Sequence, residues 1–213
     1  MKTAFWDVNT QQDFMLPEGK LYVRGAEKLR PNLRRLYALA RKSRIPVVAV
    51  VDAHAPDEAK FQDWPPHCIV GTEGQAKLPE TLLPHPRILR FDQREAPPLR
   101  PGTQVVLEKI HMDAFTHPCA RPIVEGSGIE RWIVFGVMTD YGVRLSALGL
   151  LKLGRKVTVV TDAVQGWAPE SSRQAVIEMQ AAGVDFRTTS AVIRSLSPLP
   201  RRSPPKKKEK KRS

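Results

Sequence analysis

Val134-Phe-Gly-Val-Met-Thr-Asp-Tyr-Gly-Val-Arg-Leu-Ser-Ala-Leu148 is the stretch from which the fold can be read. It passes from an apolar run through a glycine corner and a Thr/Asp pair into an amphipathic run. That order predicts a buried strand turning into a helix at Thr139 or Asp140. In open parallel α/β sheets, ligands sit at the carboxyl ends of the strands, where helix N-termini face them. Gly142, in the first turn of that helix, is therefore expected to face a pocket.

The alternation continues on both sides. Downstream, the helix from Thr139 to Leu153 stops at Gly154, and Lys156–Val160 is the next strand. Glu170–Ala182 reads as a helix between Pro169 and Gly183, and Val184–Ile193 as a last strand or turn. Upstream, Arg131–Phe135 leads into the quoted stretch, and Thr103–Glu108 is a strand ending at Lys109. A short helix is expected between His117-Pro118 and the glycines at 126 and 128. Val47–Val51 is apolar on both faces, as in a central parallel strand. Leu29, Leu33, Leu36, Leu39 and Ala40 repeat at helical spacing. Ala4–Val8 is a first strand, followed by a polar loop, Asn9–Asp13. Asp7 and Asn9 share a side if the extension reaches that far. Strands alternating with helices predict an α/β fold with a doubly wound, mainly parallel sheet. One domain is expected over 1–194, then a disordered basic tail over 195–213.

The totals narrow the class. Two cysteines, Cys68 and Cys119, among 213 residues suit a reducing cytoplasm better than a disulfide scaffold. No apolar run reaches membrane-spanning length, and the N-terminus enters a strand without a signal-peptide core. The net charge is +12, but Arg201–Ser213 carries eight Lys/Arg and one Glu, contributing +7 and leaving +5 for the rest. The basic excess therefore belongs to the tail, which is either a solvated segment or a weak electrostatic contact for nucleic acid.

Asp52–Pro86 is long and irregular, yet rich in Trp, His and Cys, which argues for function over disorder. Asp52-Ala-His54 leaves the second strand, and His67 follows Trp64-Pro-Pro. A strand-end Asp-x-His aims two ligands one way, and a loop can return a third. Two imidazoles and a carboxylate suit Zn²⁺, Fe²⁺ or Mn²⁺; taken alone, the same residues read first as surface or capping groups. Lys109 either neutralises a substrate anion or is a solvated strand end.

Taken together, four segments resemble the isochorismatase-like cysteine hydrolases, in particular the nicotinamidase branch. They are Asn9-Thr-Gln-Gln-Asp-Phe14, Asp52-Ala-His54 with Trp64–Thr72, Glu108-Lys109 through Phe115, and Gly136-Val-Met-Thr-Asp-Tyr-Gly-Val143. The resemblance spans about residues 4 to 190. It implies a three-layer α/β/α sandwich, a homo-oligomer and a small-molecule ligand that is an amide or pyridine-like compound. It also implies an Asp-Lys-Cys catalytic set, and a divalent metal, zinc first, on Asp52, His54 and His67. The turn that serves the oxyanion falls on Val137, Met138 and Thr139, with a non-proline cis peptide at about Val137-Met138.

Two positions depart from the pattern. The family motif ends Thr-Asp-Tyr-Cys-Val, so Gly142 stands where the nucleophile belongs. Asn9 stands where the proton-accepting carboxylate belongs, and Lys109 alone of the set remains. The expectation is a catalytically impaired member, a pseudoenzyme, that keeps a metal-assisted pocket. Three rescues are conceivable: Asp7, about 6–7 Å from Asn9 along a strand, a relocated Cys68 or Cys119, or a metal-activated water. The alternatives are an active amide hydrolase using one of these, and an interaction module acting through the tail.

Overall fold

A computed structural model of the chain describes residues 2–197. Its strands are β1 (Thr3–Val8), β2 (Val47–Asp52), β3 (Arg87–Leu89), β4 (Gln104–Lys109), β5 (Arg131–Val137), β6 (Lys156–Gln165) and β7 (Asp185–Arg187). They form one parallel sheet in the order β3-β4-β2-β1-β5-β6-β7. The helices are α1 (Gln12–Met15), α2 (Arg30–Ser43), α3 (Ala120–Gly126), α4 (Arg144–Lys152), α5 (Pro169–Ala181) and α6 (Thr189–Leu196).

Side-chain alternation along the strands splits the core in two. Trp6, Val8, Val48, Val50, Trp132 and Val134 pack with residues of α3, α4 and α5. Phe5, Val47, Ile133 and Phe135 pack with residues of α2 and α6. Helices thus cover both faces, which is why β2 is buried at every position. The result is the three-layer α/β/α sandwich expected above. On α2, Leu33, Leu36, Tyr37 and Ala40 form the buried stripe; each large apolar side chain there contributes roughly 1.5–3 kcal/mol.

Four local expectations need correction. The polar loop after β1 closes into the single turn α1, whose Asp13 is buried. The helix after β5 begins with a π-helical turn, Thr139–Val143, before α4. Strand β6 runs on to Gln165, five residues past the apolar run that announced it. The last segment, read as a strand or turn, holds both β7 and α6, and α6 runs to Leu196, which packs partly buried against the core. The basic segment from 198 onward lies outside the described residues. No described helix is long and apolar enough to cross a membrane.

Candidate active site

Strand register gathers the polar residues. β2 and β4 end level, with Asp52 beside Lys109, and β1 and β5 end level, with Val8 beside Gly136. A side chain at Gly136 would overlap the Val8 carbonyl, and its backbone is left-handed (φ 113°), so the close approach of β5 to β1 needs glycine there. The bond between Val137 and Met138 is cis, where the family resemblance places it.

The carboxyl edge carries one small pocket. Asn9, Asp52, Lys60, His67, Lys109 and Gly142 line it, with Phe14, Leu21, Trp64, Met112, Met138 and Tyr141 as its apolar wall. Its volume is about 30 Å³, room for a water or two. Anything larger must displace wall side chains; Met112 is partly exposed and Lys60 half-buried.

Asp52 is the hub. Lys109 Nζ donates to its Oδ1. Asn9 Nδ2 reaches Oδ2 at 3.4 Å, and His54 Nε2 and His67 Nε2 lie 3.7 and 3.8 Å from the same oxygen. Burial alone would raise this carboxyl, but the Lys109 ammonium, with that of Lys60 beyond it, outweighs it and holds it well below the usual carboxylate range. The Asp52 carboxylate also fixes the Asn9 amide, since only the NH₂ side can face it. Asn9 Oδ1 is left buried without a hydrogen-bond partner, an acceptor waiting for a donor.

The two imidazoles meet different groups on their outer sides. His67 Nδ1 lies 2.7 Å from the Pro65 carbonyl, so it carries the proton and leaves Nε2 as a lone pair. His54 Nδ1 lies 2.9 Å from Glu58 Oε2, close but bent away from a straight hydrogen bond. The loop returns His67 by running residues 68–70 parallel to the end of β2, with an isolated bridge between His54 and Ile69. Facing donor atoms of Asp52, His54 and His67 all lie within 4.8 Å of one another. Two imidazole nitrogens and one carboxylate, each buried, fit a divalent metal.

Three residues of this site were not singled out from the sequence. Gln11 donates to the Asp52 carbonyl (2.7 Å) and accepts from its N–H (2.8 Å), holding the end of β2 as another strand would. It sits inside the Asn9–Phe14 segment, so a signal existed. Glu58 and Lys60 gave none, because only the path of the irregular loop brings them in. Lys60 Nζ is 3.0 Å from His54 Nε2.

Asp7 does not join this cluster. Asn9 adopts a left-handed conformation (φ 49°), so the extension ends at Val8 and the shared side is lost. Asp7 instead points toward α2, bonded to Tyr37, Thr10 and Lys77. Neither cysteine lines the pocket. Cys68 follows His67 but is fully buried, and burial pushes its thiol well up; Cys119 belongs to the opposite core layer, its thiol also raised by burial. Of the turn residues, Met138 lines the pocket, while Thr139 lines a neighbouring groove with Gln165 and Trp167. Gly142 reaches the pocket from the π-helical turn; a Cβ there would lie 2.9 Å from Val8 Cγ1. Asp140 anchors that turn to the start of α5, accepting from Trp167 N (2.9 Å), Ala168 N (3.2 Å) and Ser171 Oγ (2.5 Å).

A model of the isochorismatase domain matches residues 4–191. This chain belongs to the isochorismatase family. Among curated relatives of the isochorismatase-domain protein, the nicotinamidase of Escherichia coli (strain K12) is 31% identical over 132 residues, 59% of this chain. That match spans 57% of the E. coli enzyme's length. A probable inactive nicotinamidase of Arabidopsis thaliana is 24% identical over 87% of this chain and 92% of its own. Among solved structures, the pyrazinamidase of Pyrococcus horikoshii in complex with zinc aligns with a TM-score of 0.73 at 27% identity. That alignment covers 88% of the isochorismatase-domain chain and 99% of the pyrazinamidase.

Proposed function

We propose that this isochorismatase-domain protein has lost cysteine-hydrolase chemistry and keeps a metal-assisted pocket for a small amide or pyridine-like ligand. One observation carries the reading. The turn that reaches the pocket opposite Lys109 and Asn9 presents Gly142, and neither thiol lines that pocket. A cysteine in a first helical turn is activated because its thiolate is stabilised there; glycine offers nothing to activate. Loss of a nucleophile costs about a million-fold in turnover in a studied hydrolase. An amide in place of a triad carboxylate costs about ten-thousand-fold.

The remaining groups support binding. Asn9 Oδ1, buried and unpaired, is an acceptor for an amide N–H. Lys109 supplies the positive charge beside it. Asp52, His54 and His67 would hold the metal, zinc first and iron or manganese otherwise. A metal held there supplies Lewis acidity that orients a ligand's carbonyl or ring nitrogen. The names of the relatives lend the ligand class, and family membership lends the expectation of a homo-oligomer.

Ammonia release from nicotinamide and pyrazinamide, with mass spectrometry for acylated cysteine, tests this. We expect no turnover and no acyl-enzyme; acylation of Cys68 or Cys119 during turnover would overturn the proposal. Asn9→Asp with Gly142→Cys is expected to restore turnover by at least about a thousand-fold over background, part of the loss estimated above. The His67 imidazole, braced by the Pro65 carbonyl, favours a second reading, an amide hydrolase driven by water activated at the metal. Ammonia release that needs His54 but leaves no acylated cysteine would select it. The tail-borne interaction module predicts salt-sensitive nucleic-acid binding lost on truncation after Leu196.

A further inference from the structure

Lys60 is the one charged pocket residue that the proposed function leaves without a part. It belongs to a single 3₁₀ turn, Ala59–Gln62, on the long loop between β2 and β3. Its ammonium lies 3.0 Å from His54 Nε2. That nitrogen is the one turned toward Asp52 Oδ2, at 3.7 Å. An ammonium is a donor without lone pairs, so at that position it takes the electron pair that a metal would need.

We propose that Lys60 is a built-in competitor of the metal: its ammonium holds the His54 lone pair, and metal binds only when the side chain swings out. The inference rests on the reading of Asp52, His54 and His67 as a metal site.

Charge balance points the same way. Asp52 and Glu58 contribute two negative charges around the imidazoles, and Lys109 and Lys60 two positive ones. The cluster is neutral as it stands. A divalent ion added to it would face two ammonium groups in a buried setting where such repulsion is weakly screened. Removing Lys60 to solvent relieves half of that repulsion, whereas Lys109, buried between the strand ends, cannot leave.

The local packing permits the movement. Phe61, the next residue, lies edge-on to both imidazoles, with ring centroids 5.7 Å from each. The backbone of the turn is thereby tied to the site, while Lys60 is half-buried at the rim. Only its four-carbon stem has to rotate. Because Lys60 also lines the pocket of about 30 Å³, the same rotation opens space beside His67. Metal entry and ligand entry are in this way one event.

Zinc affinity of the full chain, measured by competition with a chromophoric chelator, tests the proposal on wild type, Lys60→Met and Lys60→Met with His67→Ala. We expect Lys60→Met to bind zinc about 10–100-fold more tightly than wild type, the range over which outer contacts tune metal affinity. The added His67→Ala should abolish the gain. Equal zinc affinity in wild type and Lys60→Met would overturn the competition and leave the metal site standing. No zinc binding by either, with circular dichroism showing folded protein, would overturn both.

Discussion

Two lysine–carboxylate pairs lie buried in neighbouring strands, and their surroundings set them apart. Asp7, in the middle of the sheet, accepts at Oδ2 from Lys77 (2.7 Å), Thr10 (2.9 Å) and Tyr37 (2.6 Å). Lys77 also donates to Thr10. That cluster is sealed under α2 and lies outside the pocket. Asp52, at the edge of the sheet, meets Lys109 but also two imidazoles, an amide with an unpaired oxygen and a cavity. A buried ion pair by itself is weak evidence of anything. What marks the second pair is that Asp52, His67 and the unpaired Asn9 amide oxygen border a pocket, whereas the one unpaired oxygen of the first, Asp7 Oδ1, is packed beneath α2.

The contrast breaks first at Lys77. Lys77→Met would leave the Asp7 carboxylate buried without its cation, a loss of about 3–5 kcal/mol. Urea unfolding should report that loss while zinc affinity of the folded fraction stays unchanged. A loss below about 1 kcal/mol, or a change in zinc affinity, would mean that the two clusters are not separate in the way described.

A smaller effect is expected at the pocket wall. Gly142→Ala puts a methyl 2.9 Å from Val8 Cγ1, an overpacking that costs about 1–2 kcal/mol. Val8→Ala alone should also destabilise, but the two changes together should cost less than their sum. Strict additivity in that cycle would show that Gly142 does not pack against β1.

A further effect concerns acid. Asp52 is held below its usual range, so the unfolded chain binds more protons there, and the stability it contributes is complete above about pH 4 and lost as pH falls further. Burial lowers His67 as well, so its contribution is complete above about pH 6.5 and declines below that. Metal-free protein should therefore weaken in two acid steps, and His67→Gln should remove the upper one. His117, also lowered by burial, would retain a remnant of it.

Much of this was legible in the residues. Apolar runs located the central strands, since a strand covered on both faces must be apolar throughout, as Val47–Val51 is. Asp52-Ala-His54 with Trp64-Pro-Pro-His67 carried the candidate ligand set through its spacing and through the family resemblance. Three things were not legible. The direction of Asp7 depends on Asn9 leaving the β region, a single dihedral that composition does not encode. Lys60 reaches His54 only because an irregular loop folds back, and no periodicity governs such a path. The tightness of the pocket depends on where Met112, Met138, Trp64 and Tyr141 come to rest, which is a property of packing in three dimensions.

The tether between Asp140 and the first turn of α5 has a consequence for how this architecture tolerates change. The hydrogen bonds that position the loop after β5 are made by a neighbour two residues before Gly142, and they reach across to residues 167–171. None of them asks anything of the side chain at 142. The anchoring of the turn is thus independent of the side chain at 142: a reactive atom reinstalled there must find room against Val8, but it leaves those hydrogen bonds untouched.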